Sequence, residues 1–354
     1  MGKCCFITGK LYEYHYIDQE MNWSEAQLYC RDNHTDLATV TNMTDMDRLR
    51  ESAHENGAWI GLKNQTDANR KWYWSPPGVE FNETETNWDT GEPNDHDQNE
   101  NCGAIQTYLN WTDVYCQTES KFLCYDESSS TTKFHLIEDH MTWFKAQRYC
   151  REKHTDLVSG VNQLQEAELQ TKAAKGGTFM LFGLFRDTWK WSDGSDFSFR
   201  DWDERFNDND GECAMINFKD NNHFWKNCDC ADKKTFFCHD DKVILIKENK
   251  TWEDALYYCR KNYIDLVTIT NLDEQRWVQE KAKNASTPFV WLGLRYTCTL
   301  DFWFWVSDEV VGYKNWDSEK TDECDMSGAM KSGGQHEWVK QMDNQTFNFI
   351  CSKN

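Results

Sequence analysis

Oxygen-bearing side chains are densest between Trp88 and Cys102 of the 354-residue chain. Ca²⁺ takes about six to eight oxygen ligands, which carboxylates and amides supply. A second oxygen-bearing pair, Thr112-Asp113, follows shortly after the loop. The pattern predicts a calcium site, with a merely solvated acidic loop as the alternative interpretation. The loop reads Gly91-Glu92-Pro93-Asn94-Asp95-His96-Asp97-Gln98-Asn99-Glu100-Asn101.

The elements that position this loop belong to a segment that occurs three times. Each copy carries a Trp, then an amphipathic stretch that ends in Cys-Arg, then Asp-Leu at the same offset. The copies begin at Trp23, Trp143 and Trp252. Self-similarity at a fixed spacing is the signature of a repeat architecture.

Helices and strands are predicted at matched places in the three repeats. Asn or Thr precedes each Trp, which predicts a capped helix such as Trp23 to Cys30. Apolar periodicity predicts a second helix over Met46–His54, Leu164–Lys172 and Leu272–Lys283. Short apolar runs predict strands over Trp59–Leu62, Leu181–Leu184 and Trp291–Leu294. Two helices followed by strands indicate an α+β unit.

The cysteines follow the repeats and predict disulfides made in an oxidising compartment. One outer pair is expected per repeat, and the first two repeats add an inner pair. The expected pairs are Cys30–Cys124, Cys150–Cys238 and Cys259–Cys351 outside, with Cys102–Cys116 and Cys213–Cys230 inside. Cys4, Cys5, Cys228, Cys298 and Cys324 remain, and Cys298–Cys324 is a candidate substitute for the missing inner bridge. Because the total of 15 is odd, at least one thiol is free or bonded to another chain.

Polar joints divide the chain into three predicted domains, residues 1–126, 132–240 and 242–354. The first joint is the run from Tyr125 to Lys133, and the second is the shorter run from His239 to Lys242.

Composition excludes several classes of function. The net charge of −22 argues against nucleic acid as a partner, because such binding needs clustered Lys and Arg. No run approaches the roughly 18 to 20 apolar residues of a membrane span, and the N-terminus shows no visible signal peptide. No nucleophile motif or acid–base pair indicates an enzyme. Nine Asn-x-Ser/Thr sequons and the cysteines indicate an extracellular protein, secreted or displayed at the cell surface.

These helices, the Trp-Ile-Gly-Leu run, the paired cysteines and the late Trp together resemble the C-type lectin-like domain family. The resemblance covers nearly the whole chain and implies three tandem domains of the macrophage mannose receptor type. Each would have two helices plus small antiparallel sheets, with a long loop tied by disulfides.

The resemblance also implies a calcium and sugar site in the first domain. The family's mannose-type motif matches Glu92, Asn94, Glu100 and Asp113, whereas Thr112 stands where the family has Asn. These five residues are the expected calcium ligands, and the sugar-binding set is Glu92, Asn94, His96, Glu100 and Asp113. In the family, the peptide bond before the proline is cis, and the Glu-Pro-Asn order implies sugars with equatorial 3- and 4-hydroxyls, such as mannose, N-acetylglucosamine or fucose.

The matched sites of the second and third repeats are expected to be degenerate. Lys226 and Lys340 lie in the late motif of these repeats, where cations oppose calcium. The expected function is calcium-dependent glycan binding through domain 1, in extracellular recognition or clearance. The alternative is a calcium-independent module that binds glycoproteins or other cell-surface proteins.

Overall fold

The computed structural model describes residues 11–52, 57–65, 69–106, 109–177, 179–206, 210–218, 224–317 and 323–353. The chain divides into two compact units, one of residues 14–238 and one that holds residues 239–353. Cys4 and Cys5 lie outside the described residues. No described helix is long and apolar enough to cross a membrane.

The described helices number two in the first repeat, three in the second and two in the third. They are α1 (Trp23–Asn33), α2 (Met43–Ser52), α3 (Trp143–Lys153), α4 (Val161–Leu164), α5 (Ala167–Gly176), α6 (Trp252–Asn262) and α7 (Leu272–Ala282).

The strands of the first two repeats are β1 (Tyr12–Met21), β2 (Asp36–Leu37), β3 (Ala58–Asn64), β4 (Lys71–Trp74), β5 (Cys102–Ile105), β6 (Trp111–Val114), β7 (Ser120–Tyr125), β8 (Phe134–Met141), β9 (Asp156–Leu157), β10 (Met180–Asp187), β11 (Trp189–Trp191), β12 (Cys213–Ile216), β13 (Trp225–Cys228) and β14 (Lys234–Asp241). The third repeat has β15 (Val243–Lys250), β16 (Asp265–Leu266), β17 (Phe289–Thr297), β18 (Phe302–Trp305), β19 (Met326–Lys331), β20 (Trp338–Met342) and β21 (Phe347–Ser352).

The repeated Trp begins each first helix and fastens it to the apolar strand. The Trp23 indole N–H donates to the Ile60 carbonyl at 2.9 Å, and Trp143 donates to Phe182 at 2.8 Å. Asn22 caps α1 with a reciprocal capping box, as the sequence predicts. The α+β class is confirmed. The expected antiparallel sheets are corrected, because each sheet is mixed: β14 pairs with β3, β10 with β7 and β17 with β21 in parallel.

The first two repeats exchange halves. The sheet β1-β14-β3-β12-β13, with β11 beside β3, joins the first half of repeat one to the second half of repeat two. The sheet β6-β5-β10-β7-β8, with β4 beside β10, joins the remaining halves. We call residues 14–64 with 189–238 the first lobe and residues 71–187 the second lobe. The third repeat closes on itself, because its sheet β15-β21-β17-β19-β20 uses only its own strands.

The exchange keeps the strand register and changes only the partner. Leu62 lies opposite Trp191 and Leu184 lies opposite Trp74. In the third repeat, the matched pair Leu294 and Trp305 comes from a single hairpin. Equal register means that either half can complete either sheet without changing which side chains face the core.

The short connection between β10 and β11 accounts for the exchange. If repeat two copied the hairpin of repeat three, Arg186 would pair with Trp189 and leave only Asp187-Thr188 as the turn. Two-residue hairpin turns favour positive φ angles and therefore Asn-Gly or Asp-Gly, and a β-branched Thr188 suits them poorly. Strained short connections promote the exchange of strands.

Because of the exchange, two of the observed disulfides differ from the expected pairs. Cys30 bonds to Cys238 and Cys124 bonds to Cys150, so the expected pairs Cys30–Cys124 and Cys150–Cys238 are wrong. The repeats supply equivalent cysteines, and strand pairing decides which two meet. The limits 1–126, 132–240 and 242–354 for independent domains stay a prediction.

The other expected pairs are confirmed. Cys102–Cys116, Cys213–Cys230 and Cys259–Cys351 form, and Cys298–Cys324 supplies the extra bridge of the third repeat. Cys228 is the free thiol among the described cysteines.

Disulfide mapping tests the exchange directly. Proteolysis of the unreduced protein followed by mass spectrometry should yield linked peptides Cys30–Cys238 and Cys124–Cys150. Recovery of Cys30–Cys124 with Cys150–Cys238 instead would show that each repeat closes on itself.

Lengthening the connection should reverse the exchange. Inserting Asn-Gly between Asp187 and Thr188 permits a local hairpin, and closing a short loop costs less entropy than pairing distant strands. We expect mapping to show mainly Cys30–Cys124 and Cys150–Cys238 after this insertion. The matched control inserts Asn-Gly between Leu300 and Asp301 and should leave every pair unchanged. Unaltered pairing after the first insertion would rule out the short turn as the cause.

Candidate functional site

The long loop of repeat one lies on the second lobe, where two neighbouring strands hold its ends. Cys102 begins β5 and bonds to Cys116 just after β6. Gly103 lies opposite Asp113 in this pair of strands. The Asp89 N–H donates to the Trp111 carbonyl at 2.8 Å, which fixes the start of the loop beside β6. The loop thus returns over the strand that carries Thr112 and Asp113.

Asp113 organises the turn that follows Pro93. Its Oδ1 accepts the Asn94 backbone N–H at 2.9 Å, and its Oδ2 accepts the Asp95 N–H at 2.9 Å. The Asp113 side chain is almost fully buried, with 2% of the residue exposed. These contacts bring the Glu-Pro-Asn sequence onto the late Asp, as the family motif requires.

Glu92 lies within the same group of contacts. The Asn94 side-chain amide donates to Glu92 Oε1 at 2.7 Å, and the Thr112 and Asp113 side chains lie next to this carboxyl. Glu92 Oε2 is buried without a hydrogen-bond partner. The Glu92–Pro93 peptide bond is cis, as the resemblance implied. A buried carboxylate oxygen without a donor fits a cation ligand, because burying it unpaired is otherwise costly.

The electrostatics of the two carboxyls are linked. Burial and, after it, the adjacent Glu92 raise the pKa of Asp113 to about 6, although backbone N–H donors and Arg186 act in the opposite direction. Burial also opposes ionisation of Glu92, yet hydrogen bonds from Asp113, Asn94 and Thr112 outweigh it and lower the Glu92 pKa. Below about pH 6 the pair therefore favours a single negative charge, carried by Glu92.

Two arginines, Arg186 and Arg70, bind carboxylates and backbone carbonyls of the acidic loop. Arg186 Nη2 lies 2.7 Å from Asp113 Oδ2 and 2.7 Å from Asp95 Oδ1, and it donates to the Glu100 carbonyl at 2.8 Å. Arg70 donates to the Gln98 carbonyl at 2.9 Å and also pairs with Asp95. These guanidinium groups neutralise part of the loop's negative charge.

The structure separates Glu100 from Glu92 and Asp113. Glu100 Oε2 accepts the His96 backbone N–H at 3.0 Å, and His96 Nδ1 lies 3.0 Å from the Tyr115 hydroxyl. Among the described residues, these three acids do not bring their carboxylate oxygens within 4.8 Å of one another. A single ion bound by Glu92, Glu100 and Asp113 would require the loop to close further.

The matched sites of the other repeats carry cations at the late motif. Lys226 lies in β13 of the first lobe, and Lys340 lies in β20 of the third repeat. Part of each matched loop, 207–209 and 318–322, lies outside the described residues.

Sequence reasoning missed the arginines. Arg186 belongs to the second repeat and lies 86 residues beyond Glu100, so only the exchange of halves brings it to the loop. Arg70 precedes the loop and offers no motif. The only available signal was that Arg186 ends an apolar strand at the position matched by Asn64 in repeat one.

Comparison with known proteins identifies the family. The model of the Lectin C-type domain matches residues 19–126, 139–240 and 248–353. The chain belongs to the C-type lectin family. It is 22% identical to human C-type mannose receptor 2 over 377 residues, which cover 89% of this chain and 25% of that receptor. It is 30% identical to L-selectin of Rattus norvegicus over 124 residues, or 32% of each chain.

Two solved structures are similar to part of the chain. Human lithostathine is 25% identical with a TM-score of 0.29, over 32% of this chain and 83% of that one. CEL-IV is 20% identical with a TM-score of 0.29, over 32% of this chain and 86% of that one. The chain spans about a quarter of the length of the mannose receptor relatives that it matches. C-type lectin domains generally bind Ca²⁺ and are generally not enzymes, and the relatives are extracellular or cell-surface lectins.

Proposed function

We propose that the chain binds carbohydrate in a calcium-dependent manner through the long loop of the second lobe. The ion's ligands would come from Glu92, Asn94, Glu100 and Asp113, with Thr112 in the fifth position. The ligand class is glycans with equatorial 3- and 4-hydroxyls. The proposed setting is extracellular recognition or clearance, by a secreted or cell-surface protein.

The convergence of Glu92, Asn94, Thr112 and Asp113 supports this proposal most strongly. The four residues come from the loop and from β6. Asn94 links them, because its backbone N–H donates to Asp113 and its side-chain amide donates to Glu92. Their donor set is oxygen, which suits a hard cation. The buried and unpartnered Glu92 Oε2 supplies the missing negative ligand.

The exposed side of the loop suits a sugar. Asn94 and His96 are exposed, and Glu92 is half-buried. A carboxylate accepts a hydroxyl proton, whereas an Asn amide donates to a hydroxyl lone pair. Bound calcium supplies a coordination centre for two adjacent hydroxyls, and the side chains orient them.

One observation favours a second candidate function. Arg186 and Arg70 already pair with the loop acids, so the loop has protein cations of its own. A loop held in this way suits a calcium-independent module that binds a glycoprotein or another cell-surface protein.

Retention on mannose–agarose distinguishes the two functions. We expect the intact chain to be retained in calcium and eluted by a chelator. Glu92→Gln should abolish retention, because it removes the unpaired anionic oxygen, whereas Glu85→Gln, an exposed control nearby, should keep it. Retention that survives the chelator, or no retention in either buffer, would favour the calcium-independent module.

Thr112 tests the fifth ligand. Thr112→Asn should tighten calcium and mannose binding by about 1 to 3 kcal/mol, the cost of leaving buried polar groups without partners. The same change removes the Asn110 sequon, so Asn110→Gln is the control that removes only a glycan. If a glycan masks the site, both variants should tighten mannose binding alike while calcium affinity stays the same. Calorimetry that shows no change in either affinity for either variant would count against the lectin site.

Substitution of Arg186 tests whether its guanidinium group competes with calcium for Asp113. Arg186→Gln keeps a donor beside Asp113 but removes the positive charge, so calcium affinity should rise roughly tenfold or more, given the strength of charge interactions at a partly buried site. Arg205→Gln is the matched control, because Arg205 is exposed and pairs with Asp203 in the degenerate loop of repeat two. Weaker calcium binding by Arg186→Gln would mean that the arginine mainly supports the loop.

A further inference from the structure

A second group of potential metal ligands lies at the joint between repeats one and two, away from the loop. Asp126, His135 and His154 place one ligand atom each within 4.8 Å of one another. The two imidazoles stack with ring centroids 4.1 Å apart and planes 19° apart. His154 Nδ1 lies 3.5 Å from Asp126 Oδ2.

Nitrogen atoms of both rings are buried without a hydrogen bond. His135 Nε2 and His154 Nδ1 are inaccessible to solvent and make none. The whole side chains are better exposed, since 15% of His154 and 19% of Asp126 are accessible. Buried polar atoms normally have partners, and each exception requires an explanation such as an ion.

Neighbouring contacts hold the three side chains in place. The Asp126 N–H donates to the Lys133 carbonyl at 2.7 Å, and Asp126 Oδ1 accepts from the Ser128 N–H and hydroxyl, which leaves Oδ2 facing His154. The His154 N–H donates to the Cys150 carbonyl at 2.8 Å at the end of α3. His135 lies in β8 opposite Cys124 and hydrogen-bonds the Thr132 backbone. A hydrogen bond from the second ring nitrogen to backbone is a frequent feature of metal-ligating histidines.

The same residue types recur at matched positions of one other repeat. His15 and His34 occupy the places of His135 and His154 relative to the repeated Trp, and their rings stack at 4.4 Å. An aspartate, Asp240, stands two residues after Cys238, as Asp126 does after Cys124. In the third repeat the matched residues are Ile244, Tyr263 and Lys353. The third repeat thus forms the same kind of fold without the two histidines and the aspartate.

A stacked histidine pair that serves only packing is the simpler alternative. Two protonated rings at this distance would repel each other, and burial, His154 and Lys172 lower the pKa of His135. A neutral imidazole is also the form that binds metal. Packing alone leaves unexplained why an aspartate carboxylate lies within 4.8 Å of a nitrogen of each ring.

We propose that Asp126, His135 and His154 form a zinc-binding site. Two imidazoles and one carboxylate are a common zinc ligand set, with water in the fourth position. Ligand bonds of about 2.0 to 2.2 Å in tetrahedral geometry separate neighbouring ligand atoms by roughly 3.3 to 3.5 Å. The 3.5 Å between His154 Nδ1 and Asp126 Oδ2 fits this spacing. Because the lone pair of an imidazole nitrogen lies in the ring plane, both rings would have to turn out of their present stacking for their nitrogens to converge on the ion.

The bound ion would fasten the joint between the repeats. Asp126 ends repeat one, whereas His135 and His154 belong to the first half of repeat two, and all three lie in the second lobe. The ion would close the short connection from β7 to β8 and link it to the end of α3.

Zinc titration of the intact chain tests the proposal. Calorimetry with ZnCl₂ in excess calcium, which occupies the acidic loop, should show one equivalent fewer in His135→Ala, His154→Ala and Asp126→Asn than in the wild type. His140→Ala and Asp139→Asn are matched controls, because both residues are exposed on β8 and should leave the stoichiometry unchanged. Equal stoichiometry in the wild type and the three site variants would overturn the proposal.

Protection of the wild-type protein avoids the risk that a variant misfolds. Zinc should reduce modification of His135 and His154 by diethyl pyrocarbonate at least several-fold, as read by peptide mass spectrometry, while His140 stays reactive. Equal modification of all three with and without zinc would also overturn the site.

Discussion

The pairing of β10 with β4 is the interaction on which the rest of the described unit depends. Because only Asp187-Thr188 would be available to turn β10 back onto β11, the strand completes a neighbouring sheet instead. That single choice decides which outer cysteines meet. It also places α3 of repeat two beside the second half of repeat one. The same pairing carries Arg186 to a loop that belongs to repeat one. Six residues separate Leu184 from Trp191, whereas ten separate the matched Leu294 and Trp305. We infer that this shorter connection distinguishes the exchanged repeat from the self-contained one.

The exchange changes the chemistry expected of the loop. In a self-closed first repeat, the residue at the position of Arg186 would be Asn64, which is neutral. With Arg186 present, Asp113 has a cationic partner before any metal ion binds. Calcium must therefore share or displace an existing contact, whereas the exposed Asn94 and the unpartnered Glu92 oxygen remain available to it. The strand exchange therefore changes the charge around the proposed calcium site, because it places Arg186 beside Asp113.

Much of the fold could be predicted from the sequence, because the signals were local. Capped helices such as α1, the apolar strands and the inner bridge Cys102–Cys116 depend on residues close together in the chain. The outer disulfides of repeats one and two could not be predicted, since these repeats offer equivalent partners and only turn geometry distinguishes them. The contact of Asp113 with Glu92 followed from the motif, but Arg186 did not, because nothing local connects it to the loop.

A crystal structure of the intact chain grown with calcium and methyl α-mannoside tests the account most directly. We expect an ion held by Glu92, Asn94, Glu100 and Asp113, with the sugar's 3- and 4-hydroxyls on the ion and Arg186 moved off Asp113 Oδ2. An acidic loop without ion or sugar, with Arg186 still bound to Asp113, would contradict calcium-dependent sugar binding at this loop.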